Sequence, residues 1–230
     1  MTIELKHISK SYDGLPVLRD LNLTFCQGGC YCLMSPSGSG KTTLLRILMG
    51  LEQADEGTIL AKRGTSLAAP GTSSAKRSIT LAAPGTSLAA PGTSRPSFTV
   101  SPVFQEDRLC ESFSPMDNVA MCAGRALKPS RIKWELARLL PEECLTRPVS
   151  TLSGGMKRRV AVMRALLTPS DILIMDEPFT GMDEELKRSV IAYIKEKQEG
   201  RLLILSTHQE EDAALMGGEV VRFHGLESEQ

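Results

Sequence analysis

The chain has 230 residues and a mass of 25.0 kDa, enough for one α/β domain with a small appended lobe and too short for two full-sized domains. Lys plus Arg and Asp plus Glu both number 27 and the pI is about 6.8, which excludes a chain whose main work is to coat nucleic acid or an anionic membrane by bulk charge. Apolar residues make up 41% and aromatics only 4%, so the core must be mostly aliphatic.

In chain order, residues 1–7 alternate apolar and polar side chains and lack the continuous apolar stretch of a secretory signal, which predicts a chain that stays in the cytosol. Residues 29–34 read as a strand. Of the cysteines (Cys26, Cys30, Cys32, Cys110, Cys122, Cys144), none pair at CxxC spacing. Cys30 and Cys32 fall two apart on one face of that strand, which predicts small buried hydrophobes rather than metal ligands. His7 and His224 stand alone near the chain ends and read as structural.

The strand runs into Ser35, Pro36, Ser37, Gly38, Ser39, Gly40, Lys41, Thr42 and Thr43, and then into a helix over 41–49 closed by Gly50. A glycine-containing loop between a strand and a helix ending in Gly-Lys-Thr has the layout of a phosphate-binding loop. Backbone N–H groups and the helix N-terminus supply partial positive charge, Lys41 reaches the β- and γ-phosphates, and the Thr42 hydroxyl ligates Mg²⁺. The first glycine of that motif is replaced by Ser35.

Residues 57–60 read as a strand, and the tract that follows does not resemble the rest. Leu-Ala-Ala-Pro-Gly-Thr-Ser occurs at 67–73, 81–87 and 88–94, and Ala-Lys-Arg at 61–63 and 75–77. Units so poor in apolar surface do not offset the entropy of ordering them, so 63–97 is expected to be a disordered surface insertion. Residues 103–105 read as a strand, and 107–165 are almost wholly helical in pattern, an inserted helical subdomain. Within it Ser114-Pro115-Met116-Asp117 resembles a capping box, Ser130 is expected to cap a helix over 132–140, and Leu152-Ser153-Gly154-Gly155 opens a helix with Met156, Val160, Met163 and Leu167 on one face. Its N-terminus offers a second set of free amides to an anion.

The aliphatic runs 172–175 and 202–206 read as parallel strands covered on both faces. Between them Asp183 can cap a helix carrying Leu186, Val190, Tyr193 and Ile194 at helical spacing, a strand-helix-strand unit. Asp176 and Glu177 follow the first run. There they emerge at the carboxyl edge of the sheet, where Asp176 can hold Mg²⁺ and Glu177 can orient and deprotonate an attacking water. No apolar run approaches the roughly 20 residues needed to cross a bilayer.

With LSGG between the phosphate loop and the Asp-Glu strand, the sequence resembles the ATP-binding cassette (ABC) ATPases. The resemblance covers the chain except the repeat tract, whose removal restores the family's usual interval between Lys41 and Gln105. It implies a single cassette over 1–230: an α/β P-loop NTPase core with a small antiparallel β-subdomain and the inserted helical subdomain. It further implies Tyr12 as the aromatic that stacks on adenine, Gln105 as the residue linking Mg²⁺ to the helical subdomain, Asp183 at a subunit interface, and His208 against the γ-phosphate. ATP and Mg²⁺ are the implied cofactors. The implied assembly is a head-to-tail homodimer in which Lys41, Thr42, Gln105, Asp176, Glu177 and His208 of one chain face Ser153 and Gly155 of its partner.

The resemblance extends, through Arg108-Leu109, Pro115-Met116-Asp117-Asn118-Val119 and Asp176-Glu177-Pro178-Phe179, to the nitrate, sulfonate and taurine importer group. From the short stretch after His208, the C-terminal β-domain of sugar importers is expected to be lacking. The implied function is an ATPase subunit on the cytoplasmic face of the membrane, with separate permease chains, a separate solute-binding protein and no direct contact with nucleic acid. Two rivals stay open: a soluble cassette that remodels a protein or nucleic-acid assembly, and a nucleotide-binding module whose catalysis is impaired by Ser35 or the repeats. Neither a long coiled coil nor a tandem cassette, the marks of the remodelling members, is present.

Overall fold

The computed structural model describes residues 1–36, 38–62, 78–82 and 98–223; Ser37 and His224 lie outside them. Strand β1 (Thr2–Tyr12) turns into β2 (Leu15–Cys26) through Asp13 and Gly14, both at positive φ (50° and 78°), the two-residue turn whose twist matches a hairpin. β4 (Glu56–Lys62) pairs antiparallel with β1, and β5 (Ser78–Ala82) with β4, giving a four-stranded sheet in the order β2-β1-β4-β5.

The second sheet is wholly parallel, ordered β6-β7-β8-β3-β9: β3 (Cys30–Leu33), β6 (Val100–Val103), β7 (Ile172–Asp176), β8 (Leu202–Ser206) and β9 (Glu219–Val221). Its strands are short and aliphatic because both faces are covered. Ile172, Ile174, Leu202 and Ile204 point to one face, packing with Leu44, Leu45 and Leu48 of helix α1 (Lys41–Leu48) and with Ile3, Leu5, Ile8 and Phe25 of the antiparallel sheet. Leu173, Met175, Leu203 and Leu205 point to the other face and pack with the remaining helices. Those helices are α2 (Pro115–Ala123), α3 (Pro129–Leu136), α4 (Gly154–Leu167), α5 (Glu184–Gln198) and α6 (Glu210–Met216).

Most expected caps are present. Ser114 and Asp117 form a complete capping box with Pro115 in the first turn, and Asp183 Oδ1 accepts from the Leu186 N–H at 2.8 Å. Cys32 is buried and Cys30 half-buried on one face of β3, both thiols lying against Gly218.

Three expectations are corrected. Ser130 caps nothing: α3 begins at Pro129 after Lys128, whose side chain makes no cap bond, and ends at Leu136. Proline at the first helical position supplies the start instead. The strand expected at 103–105 is Val100–Val103, which leaves Phe104 and Gln105 in the following loop. The tract expected to be disordered over 63–97 contains β5, because an edge strand is held by backbone hydrogen bonds and needs little apolar mass. Its remainder lies outside the described residues.

The helical lobe is tied to the core by buried charge. Glu135 on α3, 1% exposed, accepts from Lys197 Nζ at 2.7 Å, Arg131 Nη2 at 2.7 Å and the Tyr193 hydroxyl at 2.9 Å. Burial alone pushes its carboxyl up; the bonds from Lys197 and Tyr193 and the charges of Lys197 and Arg131 outweigh burial and hold it below its ordinary value.

Candidate active site

The loops that leave the C-terminal ends of β3, β6, β7 and β8 share one edge of the parallel sheet, the edge at which open α/β folds bind ligands. β3 leads into Ser35 and Pro36, and α1 starts at Lys41 with Gly40 as its N-cap. No side chain caps that start, so its first amides face outward for an anion. Any residue with a β-carbon is strained at Gly40. The glycine sits at φ 91°, and a β-carbon there would lie 2.7 Å from Leu18 Cδ2 and 3.1 Å from the Val17 carbonyl. Ser39 is buried and its hydroxyl has no partner among the described residues.

Lys41 is buried and its ammonium spans the loop, donating to the carbonyls of Ser35 at 2.5 Å and Pro36 at 2.9 Å. Burial lowers its pKa, opposed by the carboxylates of Glu177 and Asp176.

Ser35 is not among the residues at positive φ, so the loop does not need glycine there. Its hydroxyl lies 2.6 Å from the Phe223 carbonyl and accepts the Phe223 N–H at 3.1 Å, fastening the loop entry to the chain that leaves β9. Ser35→Gly should therefore shift ATP affinity by less than about threefold, roughly 0.7 kcal/mol, measured by calorimetric titration. Losing a bond worth about 1 kcal/mol should lower Tm by about 2–4 °C. A hundredfold gain in affinity would show that the serine distorts the loop.

Across the edge, Asp176 ends β7 almost fully buried. Its Oδ2 accepts from Thr42 Oγ1 at 2.8 Å and its Oδ1 from Ser206 Oγ at 2.6 Å. Ser206 Oγ also accepts the Glu177 N–H at 2.9 Å. Glu177 stands at φ 48°, a left-handed conformation costly for a residue with a β-carbon. His208 Nε2 is 2.5 Å from Glu177 Oε1. One hydrogen-bonded chain thus runs Thr42, Asp176, Ser206, Glu177, His208.

The other expected residues stand further out. Tyr12 ends β1, 39% exposed, with Lys10 Nζ 5.3 Å from its ring centroid. Gln105 is exposed in the loop after β6. Ser153 caps α4, accepting the Met156 N–H at 3.3 Å, and the exposed Gly154 follows. Gly155 lies beneath Gly181, whose carbonyl would be 3.2 Å from a β-carbon at 155. Thr43 is in the first turn of α1, and Gly38 lies in the described part of the loop. No hydrogen bond joins Tyr12 or the 153–155 segment to the phosphate loop among the described residues.

Two residues were missed. Ser206 had a signal, a hydroxyl closing an aliphatic strand at the ligand edge. Arg158 had none, because an arginine in a helix reads as its solvent face; it is 4% exposed.

A family model described as ABC transporter matches residues 18–180. The chain belongs to the ABC transporter family. Within that family it is 30% identical, over 95% of its length, to the spermidine/putrescine import ATP-binding protein PotA of Clostridium novyi. It is 31% identical, over 96% of its length, to the sulfate/thiosulfate import ATP-binding protein CysA of Acinetobacter baylyi. It spans 58% of the first relative and 59% of the second. Among solved structures, the dimeric structure of MJ0796, a bacterial ABC transporter cassette, superposes with a TM-score of 0.73 over 96% of this chain and 94% of that one. At 23% identity the likeness shows the fold, an ABC cassette. The same measure, 0.73 at 22% identity, holds for MJ0796 in a post-hydrolysis state bound to ADP and phosphate.

Proposed function

We propose that this ABC protein binds and hydrolyses ATP to power transport of a solute through separate permease chains. The observation that carries the reading is the chain of hydrogen bonds from Thr42 through Asp176 and Ser206 to Glu177 and His208 at the mouth of the phosphate loop. The names of the relatives, import ATP-binding proteins, support the coupling to import.

Lys41 and the free amides of α1 hold the phosphates. Thr42 Oγ1 and the Asp176 carboxylate are adjacent hard oxygen donors, the set that suits Mg²⁺ and would hold it, and Gln105 would link that ion to the helical subdomain. When bound, the metal neutralises charge on the phosphates. Glu177 accepts the proton of the attacking water, and His208 holds that carboxylate in place and contacts the γ-phosphate. Tyr12 stacks on the adenine. Ser153, Gly154 and Gly155 act on a second copy, completing its site from outside, with Asp183 at the contact; the dimeric MJ0796 cassette supports this arrangement.

No helix among the described residues is long and apolar enough to cross a membrane. In this reading the permease chains hold the protein at the cytoplasmic face, and a separate solute-binding protein delivers the cargo. The nitrate, sulfonate and taurine group stays a proposal, since the relatives named above import polyamines and sulfate or thiosulfate.

The test is ATP hydrolysis by the purified chain, alone and with whatever membrane chains co-purify with it from its native host. Hydrolysis that stops when Mg²⁺ is chelated, together with co-purification of membrane-spanning chains, is expected. No hydrolysis in either preparation overturns the reading.

A further inference from the structure

The buried guanidinium of Arg158 lies one turn into α4, the helix that begins with the Ser153-Gly154-Gly155 segment. It reaches two other parts of the candidate site at once. Nη1 donates to the Phe104 carbonyl at 2.5 Å and to Asp107 Oδ1 at 3.1 Å, and lies 3.4 Å from the Gln105 carbonyl. Nη2 donates to the carbonyls of Asp176 at 2.5 Å and Glu177 at 2.6 Å. The segments leave neighbouring parallel strands at one level, because Val103 of β6 is in register with Met175 of β7. The guanidinium staples them together just beyond their last strand residues. A second arginine, Arg164, extends the staple to the carbonyls of Arg108 and Asp107.

Glu177 is the residue this arrangement constrains. Its N–H is fixed by Ser206, its side chain by His208 and its carbonyl by Arg158 at 2.6 Å, with Thr180 also donating to that carbonyl from Oγ1 at 3.1 Å and from its N–H at 3.3 Å; together they hold a φ of 48° that the backbone would not choose. The Asp176 carboxylate is held separately, by Thr42 and Ser206. Losing the guanidinium removes the shortest bond to the Glu177 carbonyl and unties it from the Gln105 loop, leaving the longer Thr180 bonds on that carbonyl and the Thr42 and Ser206 bonds on the Asp176 carboxylate.

We propose that Arg158 is a positioning residue for hydrolysis. It sets the carboxylate of Glu177 and the loop of Gln105 relative to the helix that presents the 153–155 segment, so that turnover, not nucleotide binding, depends on it. The proposal rests on the reading of Glu177 as the base. It reaches beyond that reading by naming the side chain that couples three parts of the site.

The experiment compares Arg158→Gln and Arg158→Lys with the parent in steady-state ATP hydrolysis, binding of a fluorescent ATP analogue, and thermal unfolding. Arg158→Gln should lower kcat at least tenfold with KM and analogue affinity within about twofold of the parent. Arg158→Lys, which keeps the charge and part of the donor set, should fall between the two. Should Arg158→Gln fail to fold, Arg158→Lys and Asp107→Asn decide the matter: both should lose kcat severalfold at unchanged affinity. Parent-like turnover in the variants that fold, or a loss of kcat matched by an equal loss of affinity, overturns the proposal. A parent that does not hydrolyse ATP overturns the underlying ATPase reading instead.

Discussion

Glu177→Gln should keep nucleotide binding and lose turnover by about 10²–10⁴-fold, the range a positioned general base contributes. The carboxamide has nearly the same shape, so the backbone bonds to Ser206 and Arg158 persist and the left-handed turn is kept. What disappears is the ability to accept a proton from water. Phosphate release and binding of a fluorescent ATP analogue, measured on one preparation, separate the two effects. With ATP bound and not consumed, the variant should also run as a dimer in size-exclusion chromatography with Mg²⁺ and ATP. Turnover like the parent's would remove Glu177 from the role of base.

Lys41→Ala should instead lose binding. The ammonium is buried at the phosphate loop with two backbone carbonyls as its partners, poised where a polyphosphate must sit. Truncating one side of a buried, charge-assisted contact costs about 2–4 kcal/mol, roughly thirty- to a thousandfold in Kd. Calorimetric titration of ATP measures it, and the folded state should survive, because the lost bonds are local to the loop. A Kd within threefold of the parent would show that Lys41 does not meet the phosphates.

The parts of the site legible in the sequence are those where chemistry demands a residue type at fixed spacing: Gly40-Lys41-Thr42 opening a helix, and Asp176-Glu177 closing an aliphatic strand. Long-range partners were not legible. Ser206 meets Asp176 because β7 and β8 are in register, and Arg158 is buried because two loops close over it; neither fact is local. β2 was missed although Asp13-Gly14 is a hairpin signal and Leu21, Leu23 and Phe25 alternate. The error at β5 came from judging the tract by its repeat unit. Ser78-Ile79-Thr80-Leu81 alternates as a strand should, and β4 offered it an open edge.

The strand order carries a consequence for how the protein is made. β3, from which the phosphate loop springs, precedes the other strands of its sheet in the chain, yet its neighbours there are β8 and β9, the last two of those strands to be synthesised. Ser35 meets Phe223 across 188 residues. At translation rates of roughly 5–20 residues per second, the nascent loop waits on the order of ten to forty seconds for the strands that support it. A growing chain arrested before β8 therefore carries its Gly-Lys-Thr segment on a strand with neither of its sheet partners. The support of the proposed nucleotide site is complete only once β8 and β9 have been made.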